Sequence, residues 1–320
     1  MFRPALLFPA IILAVSPAVA ADFEIGSTLE FEYANSRTRA GNVTTEQDQA
    51  YLATLELGAG IQFNPHWRAD LVLLAEDIGN TIAAEFRPQI REASDRPDEL
   101  HVEEFVISYS RDNYSLATGR YTLPFGNFET AVLSDPQTLV AGETTTSLGA
   151  TFRQELGDIN WHLSWFNGNL RDTADDEDGF TIGAEWQLSD AWRVGAGYLS
   201  AQGVGKDAPS LYDLYLAGEV GALSLGAEFV GATTERNGEK PRTWSIDAAY
   251  AMDEQWTVGG RWQQTDRFSV LDGGDGEYEE LAMAVHYAMF ENVNVGLEYA
   301  DGEEGSSDYE QLLLQVAVSF

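Results

Sequence analysis

The 320-residue chain contains no cysteine, which excludes disulfides, thiolate metal sites and a cysteine nucleophile. Its four histidines, His66, His101, His162 and His286, are scattered without metal-ligand spacing. Basic side chains are scarce: 18 Lys and Arg stand against 52 Asp and Glu, a formal charge of −34. Such a field repels a polyanion and disfavours nucleic acid as a partner. Beyond residue 21 no apolar run is long enough for a membrane-spanning helix. No Gly-rich phosphate motif stands out, and no cofactor is implied. Glycine, at 30 residues, and aromatics, at 12%, are plentiful, unlike a disordered acidic chain.

The first twenty residues differ from the rest. Arg3 provides a short positive start, Ala5–Val15 an apolar stretch, and Ala18-Val19-Ala20 a small-x-small cleavage site. This is the pattern of a secretory signal peptide cut after Ala20, and about 11 apolar residues are too few to span a membrane. Residues 1–20 are therefore read as the signal peptide and 21–320 as one domain.

That domain repeats a single unit of strand, short turn, strand and polar loop. In the last segment, Leu312, Leu314, Val316, Val318 and Phe320 alternate with Gln311, Gln315, Ala317 and Ser319, with Leu313 as an exception. The first segment alternates Phe23, Ile25, Leu29, Phe31 and Tyr33 with acidic and small polar residues. Period-two alternation marks strands with one apolar face. Fourteen more such segments lie between, at about 50–63, 67–77, 101–110, 114–123, 146–156, 159–168, 179–188, 192–200, 211–220, 223–231, 243–252, 256–264, 279–289 and 293–300. Short turns such as Asn64–His66 and Gly157-Asp158 alternate with longer polar loops. Sixteen strands with short turns at one end and long loops at the other predict an all-β, antiparallel transmembrane barrel of the outer membrane.

Aromatics support this reading. Trp67, Trp192 and Trp256 open strands after short turns, whereas Tyr33, Tyr198, Tyr212, Trp244 and Trp262 sit at the opposite ends. Two girdles a strand length apart suit two membrane interfaces. The terminal Phe320, on an alternating strand, is the cue expected for the barrel-assembly machinery.

With the apolar face toward lipid, the other face lines a lumen. Parity puts Glu24, Glu30, Glu32, Glu56, Arg68, Asp70, Glu76, Glu104, Arg153, Glu155, Glu185, Arg193, Asp213, Glu219, Glu228, Asp247, Arg261 and Glu298 there. Most of these are expected to pair and stiffen the wall. The four arginines are outnumbered, so the mean field favours cations. Sixteen strands give a porin-sized barrel with an aqueous channel. Acidic loops at Asp172–Asp178, Asp272–Glu277 and Asp301–Glu304 are expected to be solvated, and bridged by divalent ions to lipopolysaccharide, rather than to form a calcium site.

Residues 124–145 break the pattern by mixing Phe125, Phe128, Val132, Leu133 and Leu139 with Glu129, Asp135 and Glu143. So many apolar groups predict a loop folded into the barrel and narrowing it. Arg120 breaks the apolar parity of its strand, and a local bulge is expected to turn it inward, because a guanidinium facing lipid is costly.

The stretch Val102-Glu-Glu-Phe-Val-Ile-Ser-Tyr, then Gly119-Arg-Tyr-Thr-Leu-Pro-Phe-Gly-Asn-Phe-Glu-Thr130, Ser134-Asp-Pro-Gln-Thr-Leu139 and Gly142-Glu-Thr144 resembles the LbtU family of siderophore porins. The resemblance covers residues 102–146. It implies a TonB-independent outer-membrane barrel linked to siderophore uptake. It also places Arg120, Pro124, Phe125, Gly126, Asn127, Phe128, Glu129, Asp135 and Glu143 in the family's characteristic segment. The pore-lining and constriction set is then Arg120, Phe125, Asn127, Phe128, Glu129, Asp135, Glu143, Glu104, Arg153, Glu185, Arg193 and Arg261.

The expected function is a passive or substrate-selective, cation-preferring channel for small hydrophilic solutes or siderophores. Trimeric assembly is left open. An enzyme is the alternative: His162-Leu163-Ser164 resembles the His-x-Ser of outer-membrane phospholipase A, but parity points His162 and Ser164 inward, away from lipid. A structural or adhesive barrel would call for longer or repeated loops.

Overall fold

The computed structural model describes residues 22–79, 99–169, 178–200, 210–233, 240–266 and 277–320. The proposed signal peptide lies outside these residues, as do Asp172, Asp175, Asp176 and Glu177 of one acidic loop and Asp272 and Asp275 of another. The described residues form sixteen strands and one short helix. In chain order they are β1 (Asp22–Ala40), β2 (Val43–Asn64), β3 (Trp67–Ile78), β4 (His101–Arg111), β5 (Tyr114–Arg120), α1 (Gln137–Gly142), β6 (Thr146–Leu156), β7 (Ile159–Asn169) and β8 (Asp178–Ser189). There follow β9 (Trp192–Leu199), β10 (Leu211–Val220), β11 (Leu223–Ala232), β12 (Arg242–Ala251), β13 (Trp256–Asp266), β14 (Glu277–Phe290), β15 (Val293–Glu304) and β16 (Ser307–Ser319). Each strand pairs antiparallel with its sequence neighbours, and β1 pairs with β16 from Thr28–Ser319 to Ala40–Ser307. Closure leaves the sheet without an edge, which a spanning structure needs where no water can satisfy backbone groups.

Alternation works as the sequence predicts. Leu163 and Trp165, Leu214 and Leu216, and Leu312 and Leu314 all face outward and are exposed. At the short-turn end aromatic rings touch across four neighbouring strand pairs, Trp67–Tyr109, Tyr109–Tyr114, Tyr114–Phe152 and Phe152–Trp161, with centroids 5.1–6.4 Å apart. At the other end Tyr212, Phe229 and Trp244 form a second chain at 5.6 Å per step.

Two of the predicted long loops are hairpins instead. Residues 34–49 continue β1 and β2 up to the two-residue turn at Gly41, whose φ of 59° suits glycine. Likewise Asp301, Glu303 and Glu304 belong to β15, which meets β16 through Gly305 (φ 59°). β5 ends at Arg120 rather than residue 123, after Gly119 adopts a φ of 139° that only glycine takes easily. The bulge predicted beside Arg120 lies across the ladder in β4: the register shifts where Val72 pairs with Glu104 but Leu73 with Val102, leaving Glu103 between them. Arg120 itself stands opposite Phe105, and its Nε donates to the Glu103 carbonyl at 3.0 Å.

Candidate functional site

Residues 121–145 form a strap across the inside of the barrel. Its ends are zipped where they leave the wall: the Leu123 amide donates to the Thr144 carbonyl at 2.8 Å, and Thr122 bridges Thr145. The strap then runs along the wall from β10 to β15 and returns through α1, which packs on β11, β12 and β13. Tyr121, Leu123 and Phe125 pack against inward Phe166, Leu199, Leu211 and Val230 in a small core between strap and wall. Small wall residues let the strap approach. Val132 sits over Ala282, Ala284 and Ala300, and a Cβ on Gly259 would strike the Ala131 carbonyl. Leu313, the exception to alternation on the last strand, faces inward and packs under Leu133 of the strap.

Wall carboxylates hold the strap by its backbone. Glu228 accepts from the amides of Asn127 (2.6 Å) and Phe128 (3.0 Å). Asp247 accepts from the Ala131 amide (3.1 Å) and the Thr130 hydroxyl (3.2 Å). Glu298 accepts from the amides of Leu133 (2.5 Å) and Ser134 (2.8 Å) and from the Ser134 hydroxyl (2.7 Å). At the start of α1 the Gln137 amide donates to Gln263 Oε1 at 2.8 Å. An irregular segment inside a barrel has no ladder of its own, so its amides need acceptors from the wall.

Arg261 is the cation of this system. Nη1 donates to Thr130 Oγ1 (3.1 Å) and the Ser134 carbonyl (2.5 Å); Nη2 donates to Ser134 Oγ (2.7 Å) and Glu280 Oε1 (3.0 Å). Glu280 also accepts from Gln263, Tyr278 and Tyr309. Parity correctly turned Arg261 inward, but the residue is 1% exposed. It lies beneath the strap and does not line the channel, a correction to the expected set. Phe125, at 5% exposure, is likewise packed against the wall rather than projecting into the aperture.

The remaining expected residues distribute as follows. Glu129 is exposed on the strap, and Arg193 bridges to it while donating to Asn127 Oδ1 at 3.1 Å. Arg193 Nε also lies 3.4 Å from Glu185, which accepts from Tyr215 at 2.9 Å. Phe128 is half-buried with its ring 6.4 Å from Phe125. Asp135 and Glu143 are half-buried on the strap, and each has a partner. Glu104 is half-buried on β4 and accepts from the Thr122 amide at 3.4 Å. Arg153 is exposed on β6, with no hydrogen bond or ion pair among the described residues. The strap brings Asn127, Glu129, Glu185 and Arg193 together, while Arg120, Glu104 and Arg153 stay apart from that cluster. On the wall away from the strap, Arg68 pairs with Glu24 (2.9 Å) and Asp70 (2.7 Å).

Sequence reasoning missed Gln263, Glu280, Tyr278 and Tyr309, which lie on the inward parity of their strands. Their alternation with outward Trp262, Gln264, Glu279 and Leu281 was the available signal, blurred by polar residues on both faces. Ser164 is buried and takes a hydrogen bond from Thr151 at 2.8 Å, which in turn meets Tyr121 at 2.6 Å. It therefore belongs to the barrel's interior, away from any lipid substrate.

Comparison with solved structures places this architecture among porins. The chain is similar to an anion-selective porin from Comamonas acidovorans, with TM-score 0.70, 10% identity, and 94% of this chain and 100% of that one covered. It is similar to OprB from Pseudomonas putida, with TM-score 0.70, 12% identity and coverage of 93% and 94%. It is also similar to OmpT of Vibrio cholerae in a trimer form, with TM-score 0.61, 11% identity and coverage of 94% and 100%. At such identities these likenesses show the fold. No curated protein matches the sequence. The model of the Gram-negative porin family matches residues 10–307, nearly the whole length. A closed barrel with two aromatic girdles, a strapped lumen and this match together place the protein in the outer membrane, and the chain belongs to the Gram-negative porin family.

Proposed function

We propose that the barrel is a passive diffusion channel for small hydrophilic solutes that prefers cations. The carrying observation is how the inward arginines are used. Arg261 is buried, Arg68 is held by Glu24 and Asp70, and Arg193 by Glu129 and Glu185, which leaves Arg153 alone of the four without a partner among the described residues. Glu56, Glu155 and Glu219 have no cationic partner among the described residues. The free charge of the lumen is therefore mostly negative, and a low-dielectric wall focuses that field. The anion-selective relative from Comamonas acidovorans shares the fold, but selectivity belongs to the charges on the lining. In planar bilayers under a KCl gradient, the reversal potential is expected to carry the sign of potassium preference. The preference is expected to grow as ionic strength falls and screening weakens. A reversal potential of the opposite sign overturns this reading.

Siderophore cargo is supported by the resemblance of residues 102–146. Impaired growth of a deletion strain on a ferric siderophore as sole iron source is its test. Assembly as a homotrimer is part of the proposal, since OmpT of Vibrio cholerae takes a trimer form.

A further inference from the structure

Five inward positions lie in one register row across β6–β10: Arg153, His162, Gly183, Gly197 and Asp213. The two central glycines leave a trough in the wall, and the flanking side chains lean over it. The place of a Cβ on Gly183 is taken by the His162 ring, with Nε2 2.8 Å away; on Gly197 it is taken by Asp213 Oδ1. Cβ positions of an antiparallel pair stand about 4.5–5.5 Å apart, so imidazole and carboxylate converge on neighbouring points. Both are short of partners. Asp213 is 2% exposed, and among the described residues neither carboxylate oxygen has a hydrogen-bond donor at ordinary geometry and His162 Nε2 is buried without a partner. The amides of Gly126 and of Asp213 itself face the carboxylate without closing such a bond, and the Pro124 carbonyl faces the His162 ring. All three polar residues line one cavity of about 510 Å³ beneath the start of the strap. Phe125 roofs it, its ring 3.4 Å from the Gly197 Cβ position.

We propose that this trough is a subsite for small zwitterionic solutes, of the ω-amino acid class. A primary ammonium brings three donors, enough for the Asp213 carboxylate and for His162 Nε2 when the ring proton is on Nδ1. Arg153 at the other end of the row is an exposed guanidinium, unpaired among the described residues and suited to a carboxylate. It repels a simple amine and so favours a solute that brings its own anion. Four strand spacings of about 4.8 Å separate the backbones of Arg153 and Asp213. With both side chains reaching inward, that span suits a solute whose charges stand apart better than an α-amino acid. The ammonium reaches Asp213 from the Arg153 side by turning the Phe125 ring aside.

This deepens the channel reading and rests on it. Purified channels in planar bilayers are exposed in turn to γ-aminobutyrate, n-butylammonium and butyrate, and interruptions of the KCl current are timed. The wild type is expected to hold γ-aminobutyrate about tenfold longer than either control, the worth of one added charge-assisted contact. Asp213→Asn and Arg153→Gln are each expected to abolish that excess. Arg153 is exposed and bonded to nothing described, so its replacement leaves the fold intact. Equal dwell times for the three solutes, an excess for butylammonium alone, or an excess that survives both substitutions would overturn the subsite. The KCl current reports the channel reading separately: a conducting barrel without the excess refutes only the subsite, and a barrel that conducts nothing refutes both.

Discussion

Arg261→Met is expected to free the strap and to cost about 3–5 kcal/mol, the usual penalty for removing one partner from a buried ion pair. The side chain is wholly buried, donates four hydrogen bonds, and stands opposite Asp247 in the ladder, with Glu280 and Glu298 also nearby. Methionine has the volume but leaves those carboxylates without their cation. The strap contains no Lys or Arg but does contain Phe125, Phe128, Leu133 and Leu139. Chymotrypsin is therefore the probe: the wild type in detergent is expected to resist, and the variant to be cut within residues 121–145. Arg261→Lys retains the charge but not the planar fork that reaches Thr130, Ser134 and Glu280 together, so intermediate protection is expected. A variant as resistant as the wild type would show that the carboxylates and apolar contacts suffice.

The barrel was legible because membrane strands obey a binary rule. Leu163, Trp165, Leu214 and Leu312 must face lipid, so their neighbours face inward, and sixteen segments followed from that constraint. The rule ends where lipid ends. Residues 34–49 and 301–308 carry Arg37, Arg39, Glu46, Asp301 and Asp308 with no apolar alternation, so they resembled loops. They are strand extensions, mostly exposed beyond the buried Ala34 and Ser36, held by ladder hydrogen bonds and by pairs such as Arg37–Glu46 at 3.3 Å. The site was legible in part for a related reason. Parity tells which way a side chain points but not what lies above it. Arg153 and Arg261 share the inward parity; one is open to the lumen and the other sealed under Ser134. The apolar residues of 124–145 foretold that the strap packs inside. The path it takes is set by features without a sequence period: the bare position at Gly259, the alanines under Val132 and the acceptors at Glu228, Asp247 and Glu298.

Glu228→Ala is expected to turn a quiet channel into a noisy one. The carboxylate accepts two consecutive amides, Asn127 and Phe128, at the corner where Gly126 and Phe128 both adopt positive φ, 74° and 51°. A non-glycine residue in that region is strained, and persists where its surroundings hold it. Removing the acceptor leaves two amides without a partner; at about 1–3 kcal/mol each, that is enough to let the corner swing. Asn127 and Glu129 carry the contacts to Arg193, so a mobile corner also loosens the clasp at the edge of the aperture. Single-channel records are expected to show conductance steps and added open-channel noise. Glu228→Gln keeps one of the two acceptors: the Asn127 amide meets Oε1 and the Phe128 amide Oε2, so one N–H retains an oxygen while the other faces an NH2 donor. It is expected to be noisier than the wild type and quieter than Glu228→Ala. A Gln variant as quiet as the wild type would show that one captured amide suffices, and one as noisy as Ala that both bonds to the carboxylate are needed to hold the corner.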